Sequence, residues 1–303
     1  IQSDKLKAAY DRPSDAERSL SRGTSATVVL GTPQLRTTIL GSTNVITNGS
    51  FETAFSGWTV YNEALGSGDW YAQTGTLSPL TNFYSVPAPT NGTYAAMTDQ
   101  YGPGSHILYQ DFTVPAGAEL SYDRFIGNRP GIFFTPSTLS YAISAGSNQQ
   151  ARVDIMDPSA TVTDLGTGVL AAIYATAVGD PPVSGYTNQT ASLSALAGQS
   201  VRLRFSEVDN TGYFNMGIDN VSVRTTSTGL CASVQLLVTK KGIRTSLCDK
   251  LAQAAAYATA GATADQNGVL RAFINEVQAQ TGKSITSANA AILIAAATSL
   301  IAH

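Results

Sequence analysis

Two carboxylates beside short polar turns are the side chains best placed to do chemistry. Glu52 ends the segment 48–52 (NGSFE), and Asp219 is the only charged residue in the alternating segment 217–223 (GIDNVSV). Calcium binds about six to eight oxygens, and a polar turn next to a carboxylate offers both side-chain and backbone oxygens. We therefore predict calcium at these two carboxylates. The alternative is that both accept hydrogen bonds from backbone amides.

Residue types that support catalysis are scarce. His106 and His303 are the only two histidines. Ser105 precedes His106, but adjacent residues on a loop do not face each other as nucleophile and base, and the sequence has no G-x-S-x-G motif. A carboxylate pair for glycoside hydrolysis could be chosen from many Asp and Glu residues, so it carries no weight without geometry. The sequence predicts a protein that is not an enzyme.

Aromatic residues next to polar ones suggest a sugar-binding surface. A glycan site needs exposed aromatic faces for sugar rings, with amides, carboxylates or arginine nearby for the hydroxyls. Core packing is the alternative for every aromatic residue of a sandwich, and Trp58 is assigned to the core. The predicted ligand-binding residues are Trp70, Tyr101, Asp99, Gln100 and Arg129.

Composition excludes several kinds of partner. Only 13% of the residues are charged and the net charge is -3, so there is no basic stripe for nucleic acid or anionic lipid. The apolar run 290–302 is shorter than the roughly 20 residues needed to span a bilayer and is interpreted as a packed helix. The chain begins without a methionine or a basic leader, so we expect any signal peptide to be removed or not included.

Hydrophobic periodicity divides the chain. Between residue 44 and about 225, short β-type segments alternate with Gly- and Pro-rich turns, which predicts about ten strands in a two-sheet antiparallel jelly-roll sandwich. The acidic segment 207–212 (EVDNTG) is interpreted as a hairpin turn before the last strand, with a metal site as the alternative.

After residue 229 the period becomes about 3.6, which predicts a four-helix unit. The segment 240–242 (KKG) is interpreted as the end of its first helix. The predicted fold class is mainly β with a separate all-α C-terminal domain. The predicted parts are an N-terminal arm 1–41, a sandwich 42–226 and a helical domain 227–303.

Cys231 and Cys248 are the only cysteines, and no histidine cluster accompanies them to complete a zinc site. A disulfide between them would close a loop of about 17 residues and, in the chain-entropy model, contribute on the order of 3 kcal/mol. Two buried thiols are the alternative.

The motifs NGSFE, Gly57-Trp58 and GIDNVSV resemble the opening and closing strands of carbohydrate-binding-module-like (galactose-binding-like) jelly-roll domains of secreted bacterial proteins. In that family a glutamate after the first strand and an aspartate on the last share a structural calcium. The resemblance implies Glu52 and Asp219 as ligands, with Asn48 and Thr93 supplying further oxygens, and an extracellular location. The helical unit resembles FIMAH-type domains through the segments 270–277 (LRAFINEV) and 281–286 (TGKSIT), and no catalytic role attaches to that family.

The first functional hypothesis is a secreted, non-catalytic, calcium-stabilised module that binds a glycan or a cell-surface polymer. The second is a structural subunit of an extracellular fibre or surface layer, in which the arm 1–41 completes the sheet of another copy. The arm contains the strand-forming segments 24–30 and 36–40, which lie outside the sandwich and need a partner edge. The residues predicted to fill pockets on that partner are Val28, Leu30, Leu35, Ile39 and Leu40.

Removing residues 1–41 tests the fibre hypothesis. The sandwich should stay folded but any polymer should be lost, because the isolated domain does not need the backbone hydrogen bonds that an exchanged strand contributes. Electron microscopy of the full-length and truncated proteins measures the difference. Filaments from the truncated protein, or a full-length protein that stays monomeric at high concentration with calcium, would contradict the hypothesis.

Overall fold

The computed structural model describes residues 42–301. The arm 1–41, with its five predicted assembly residues Val28, Leu30, Leu35, Ile39 and Leu40, lies outside the described residues, as does His303.

Within the described range, ten strands form two five-stranded antiparallel sheets, which confirms the predicted fold class. The first sheet has the order β1-β4-β9-β6-β7 and the second the order β2-β3-β10-β5-β8. The strands are β1 (Thr59–Asn62), β2 (Asp69–Gln73), β3 (Ala95–Asp99), β4 (Gly104–Thr113), β5 (Ala118–Asn128), β6 (Gln149–Met156), β7 (Val169–Ala175), β8 (Thr187–Ser192), β9 (Ser200–Asp209) and β10 (Phe214–Thr225).

The core lies between the two sheets because alternate residues of each strand point inward. Leu203 and Phe205 of β9 face Met216 and Ile218 of β10, and all four side chains are buried. Trp58 packs against this core with its ring centroid 5.9 Å from that of Phe205. The assignment of Trp58 to the core is therefore confirmed.

The opening turn is fastened to the last strand by a close backbone approach. Gly49 accepts a 2.8 Å hydrogen bond from the N–H of Val221, and a Cβ on Gly49 would overlap the carbonyl oxygen of Val221. The register of β10 with β5 shifts between Asp219 and Ser222, where Asn220 has a φ of 52°. This bulge gives the end of the sheet its shape beside the NGSFE turn.

Four helices follow the sandwich: α1 (Ser227–Leu237), α2 (Lys241–Thr259), α3 (Thr263–Gln280) and α4 (Ser287–Ser299). The side-chain oxygens of Thr226 and Thr286 cap α1 and α4, and a disulfide joins Cys231 of α1 to Cys248 of α2, as predicted. The segment 240–242 starts α2 instead of ending α1, which corrects the sequence interpretation. Gly242 lies in the first turn of α2, outside the helix interior where a glycine costs about 1 kcal/mol relative to alanine.

The helical unit docks on the sandwich at Gly117. The N–H of Gly117 donates to Ser233 Oγ at 2.9 Å, and its carbonyl accepts from Thr226 N at 3.0 Å. Gly117 has a φ of 72°, and a Cβ there would overlap the backbone of Leu230. In the range 42–301, no helix has the length and apolar character needed to cross a membrane.

Candidate functional site

A cleft of about 480 Å³ opens on the outer face of the first sheet. Tyr61 of β1 supplies its aromatic surface and packs against Ile107 and Val208, which point outward from the neighbouring strands. Two loops, 137–140 and 163–166, form the walls and carry hydroxyl groups and carboxylates. The site therefore combines three separate parts of the chain.

Glu63 holds the first wall in place. Its Oε1 accepts a 2.6 Å hydrogen bond from Ser140 Oγ, and its Oε2 accepts one from the N–H of Tyr141 at 2.9 Å. The Tyr141 hydroxyl in turn donates to the carbonyl of Ala64. The loop is thus fixed against the end of β1 by a charge-assisted pair of bonds.

Arg204 of β9 anchors the second wall, the loop 163–166, to the sheet beneath it. Its guanidinium is fully buried and donates to the carbonyl oxygens of Val162 and Asp164 at 2.7 and 2.8 Å. It also forms an ion pair of 2.6 Å with Asp154, whose other oxygen binds Arg152. Burial lowers the pKa of Arg204, but an arginine stays protonated in proteins, so this loop rests on a buried, paired positive charge.

The Asp164 carboxylate is suited to accepting hydrogen bonds, not to protonating a ligand. The N–H groups of Gly166 and Gly168 donate to its two oxygens at 2.8 Å and hold its pKa below the usual range. An ionised carboxylate next to hydroxyls and an aromatic ring can bind the polar edge and the apolar face of a sugar ring. The cleft therefore has the chemistry of a binding site.

The predicted ligand-binding residues do not form an exposed platform. Trp70 is only 3% exposed and points into the core from β2, and Asp99 and Gln100 are also buried, so the structure corrects the prediction for these three. Asp99 accepts hydrogen bonds from Leu80 N and Thr81 N, and Gln100 donates to Phe214 O. These polar groups organise loops instead of facing solvent.

Tyr101 and Arg129 remain nearer the surface. Tyr101 is 53% exposed and packs edge-on against Phe83. The guanidinium of Arg129 lies 4.5 Å over the ring of Tyr84 and donates to Ser85 O. Of the five predicted residues, Tyr101 is the one with an exposed aromatic face.

The predicted calcium residues meet at one loop. Glu52 Oε1 accepts from Thr93 N and Tyr94 N at 2.9 Å, and Asp219 Oδ2 accepts from Thr90 N and Asn91 N at 2.7 and 2.8 Å. These are the backbone-amide bonds of the alternative interpretation.

Asn48, in the opening turn, also forms hydrogen bonds within the protein. Asn48 uses its side-chain amide to close its own turn, donating to Ala54 O and Ser56 O. Burial raises the pKa of Asp219 despite its hydrogen bonds. Calcium at these residues stays a prediction.

The sequence singled out the acidic segment 207–212 but not the histidine that meets it. The turn in this segment starts only after Asp209, because β9 continues to that residue. The chain resumes at Phe214 of β10, which lies in the other sheet, so the connection is not the predicted hairpin. The structure brings the carboxylates of Glu207 and Asp209 to His106 of β4. Their spacing of two residues, on a strand opposite a histidine, was the available signal, but it depended on knowing where the strand ends.

Replacing Asp154 by alanine should strongly destabilise the protein, because it leaves the buried charge of Arg204 without its partner. The expected loss in the free energy of unfolding is about 3–5 kcal/mol. Asp111→Ala is the matched control: Asp111 also pairs with an arginine, Arg202, but its side chain is 46% exposed, so the expected loss is under about 1 kcal/mol. Denaturant unfolding measures both, and equal losses would show that burial of the pair is not what holds this loop.

Comparisons with known proteins identify no family. No family model and no curated protein matches the chain. A solved adhesin domain, K3 of Lys-gingipain from Porphyromonas gingivalis, is 13% identical with a TM-score of 0.40, over 61% of this chain and 99% of that one. TmCBM61, solved with β-1,4-galactotriose, is 15% identical with a TM-score of 0.36 over 61% and 99%. The family 11 carbohydrate-binding module of a Clostridium thermocellum cellulase is 12% identical with a TM-score of 0.30 over 62% and 96%.

Proposed function

We propose that this chain is a secreted, non-catalytic module that binds a glycan in the cleft beside Tyr61. The observation that carries the proposal is an aromatic side chain between two rigid polar walls, in a cleft of about 480 Å³. Small-molecule sites commonly have volumes of roughly 300–1,000 Å³, with few polar groups fixed in position. A disulfide in the helical unit fits an extracellular location.

The walls support the proposal because their polar groups are already oriented. Glu63 and Asp164 are held by hydrogen bonds to the protein, and Asp164 sits on a loop anchored by Arg204. Little conformational entropy is therefore lost when a ligand binds.

Tyr61→Leu tests the site. It keeps an apolar side chain over Ile107 but removes the aromatic face, so glycan affinity should fall about tenfold or more, given roughly 0.5–1.5 kcal/mol for an aromatic contact plus its buried area. Affinity electrophoresis through gels containing β-glucans, galactans or xylans, followed by calorimetry on any polymer that retards the protein, measures the loss.

Tyr101→Leu is the matched control, since Tyr101 has the exposed ring favoured by the sequence. It should leave the affinity unchanged. A loss of glycan affinity in Tyr101→Leu, with none in Tyr61→Leu, would place the site at the end of the second sheet. A wild-type protein that no polymer retards would contradict glycan binding.

Structural calcium at Glu52 and Asp219 is a second part of the proposal. It is supported by two carboxylates that reach one five-residue loop, with the Thr90 hydroxyl and Asp123 beside Asp219. Hydrogen bonds from N–H groups already occupy oxygens of both carboxylates, so calcium would have to share or displace them.

Glu52→Gln provides the calcium test, because glutamine keeps an oxygen for Thr93 N and Tyr94 N but removes the charge. Calcium at a hundredfold excess over its dissociation constant should stabilise the wild-type protein by about 2.7 kcal/mol and the variant by much less. Thermal melts with calcium and with a chelator measure this. An unchanged wild-type melting temperature in chelator would exclude the site.

The fibre-subunit alternative depends on residues 1–41, which lie outside the described range. No contact among the described residues favours it over glycan binding, and it stays a prediction.

A further inference from the structure

Three ionisable side chains converge inside the sandwich, at one end of the first sheet. His106 of β4 lies opposite Glu207 of β9, and Asp209, two residues farther along β9, lies opposite Gly104. Residues two apart on a strand share a face, and Leu203 and Phe205 place this face toward the core. One potential ligand atom from each of the three side chains lies within 4.8 Å of the others.

All three side chains are buried and poorly satisfied. His106 is 1% exposed, and Glu207 and Asp209 are 0% exposed. Asp209 Oδ1 accepts from Gly104 N at 3.1 Å. Four acceptor atoms have no hydrogen-bond partner among residues 42–301: both carboxylate oxygens of Glu207, Asp209 Oδ2 and His106 Nε2.

Neither carboxylate has a positive partner in the described part of the chain, where the ion pairs are Arg152–Asp154, Arg202–Asp111, Arg204–Asp154 and Lys250–Glu276. Two unpaired charges in a dry interior are strongly unfavourable. The Thr98 hydroxyl approaches Glu207 but does not reach hydrogen-bond geometry with either carboxylate oxygen. One water molecule brings only two protons and cannot satisfy four acceptors.

The hydrogen bond between His106 Nδ1 and Asn62 leaves the other ring nitrogen, Nε2, for the cluster. Asn62 Nδ2 donates to Asp69 Oδ1 at 2.8 Å, which leaves Asn62 Oδ1 as an acceptor 2.9 Å from His106 Nδ1. With Nδ1 donating to Asn62 Oδ1, the neutral ring has its lone pair on Nε2, and the Ser67 carbonyl lies close enough to the ring to compete for its N–H. Metal-binding histidines are commonly oriented in this way by a polar partner on the other nitrogen.

Gly104 lets the backbone of β4 pass close to the His106 ring. A Cβ at this position would overlap both His106 Nε2 and the carbonyl oxygen of Ser67. Any other residue would therefore displace the ring, so the glycine is needed for the position of His106.

We propose that His106, Glu207 and Asp209 bind a divalent transition-metal cation, with Zn²⁺ as the best match, at a structural site inside the sandwich. The three side chains offer one imidazole nitrogen and two carboxylate oxygens, a donor set that zinc accepts, and a second carboxylate oxygen or a water would complete its usual four positions. Calcium takes oxygen ligands and does not account for the histidine. The cation supplies the positive charge that the two carboxylates lack, and it is separate from the loop held by Glu52 and Asp219.

The test measures metal content in the full chain. Wild-type protein produced in medium containing ZnCl₂, then passed over chelating resin, should retain about one zinc per chain. Glu207→Gln and Asp209→Asn should retain less than about a tenth of that. Glu52→Gln is the control variant, and it should retain zinc like the wild type.

Thermal melts and the absorption spectrum of bound cobalt test the same site by measurements other than metal content. Zinc should raise the melting temperature of the wild type but not that of Glu207→Gln. Metal-free Glu207→Gln should melt at or above metal-free wild type, because a buried unpaired carboxylate has been removed. Wild-type protein produced with cobalt should show the intense visible absorption of four-coordinate Co²⁺, and His106→Asn should lose it.

Three results would overturn the proposal. One is wild-type protein that retains neither zinc nor cobalt, which would mean that the carboxyl groups are buried in their protonated form. The second is equal retention by the wild type, Glu207→Gln and Asp209→Asn. The third is retention of calcium alone.

Discussion

The alternation of side chains along β9 is the constraint on which the rest of the structure depends. This strand lies at the centre of the first sheet, between β4 and β6. Its inward residues run from Leu203 and Phe205, in the hydrocarbon core, to Glu207 and Asp209 at the polar end. Its outward residues include Arg204, which anchors a wall of the cleft, and Val208, which packs with Tyr61. One strand therefore supports a buried polar cluster on one face and the cleft beside Tyr61 on the other.

Charged residues are few in this chain, and many of them hold loops instead of covering the surface. Glu63, Asp99 and Asp219 each accept hydrogen bonds from backbone N–H groups of a loop that is distant in sequence. Such bonds are stronger than neutral ones and satisfy loop amides that the strands leave without partners. The buried pair of Arg204 and Asp154 works in the same way on carbonyl oxygens. Among the described carboxylates, both oxygens of Glu207 and Oδ2 of Asp209 are the exception: they are buried without a hydrogen-bond partner and require a cation or protons.

The two candidate metal positions differ in what surrounds them. Around Glu52 and Asp219 the neighbouring groups are mainly N–H donors, which neutralise a carboxylate by themselves. Around Glu207 and Asp209 the donors are few, namely the N–H of Gly104 and the nearby Thr98 hydroxyl, and a histidine oriented by Asn62 completes the cluster. A carboxylate bonded to amides is stable without an ion, whereas a group of buried acceptors is not. The resemblance of the motifs suggests calcium at the first position, and the physical chemistry favours a transition metal at the second.

The sequence by itself determined the fold class, because a period of two with frequent turns and a later period of 3.6 report local backbone geometry. It also determined the disulfide, since only two cysteines were present, and the core position of Trp58. Tertiary structure alone decided which face each strand residue occupies: a shift of one residue reverses inside and outside, so Trp70 entered the core and the Glu207 carboxylate turned inward. It also decided which distant segments meet, as at the cleft of Tyr61, Glu63 and Asp164 and at the cluster of His106 with Asp209. Strand order and register bring these distant segments together. Both depend on how the two sheets pack, so a local sequence pattern does not predict them.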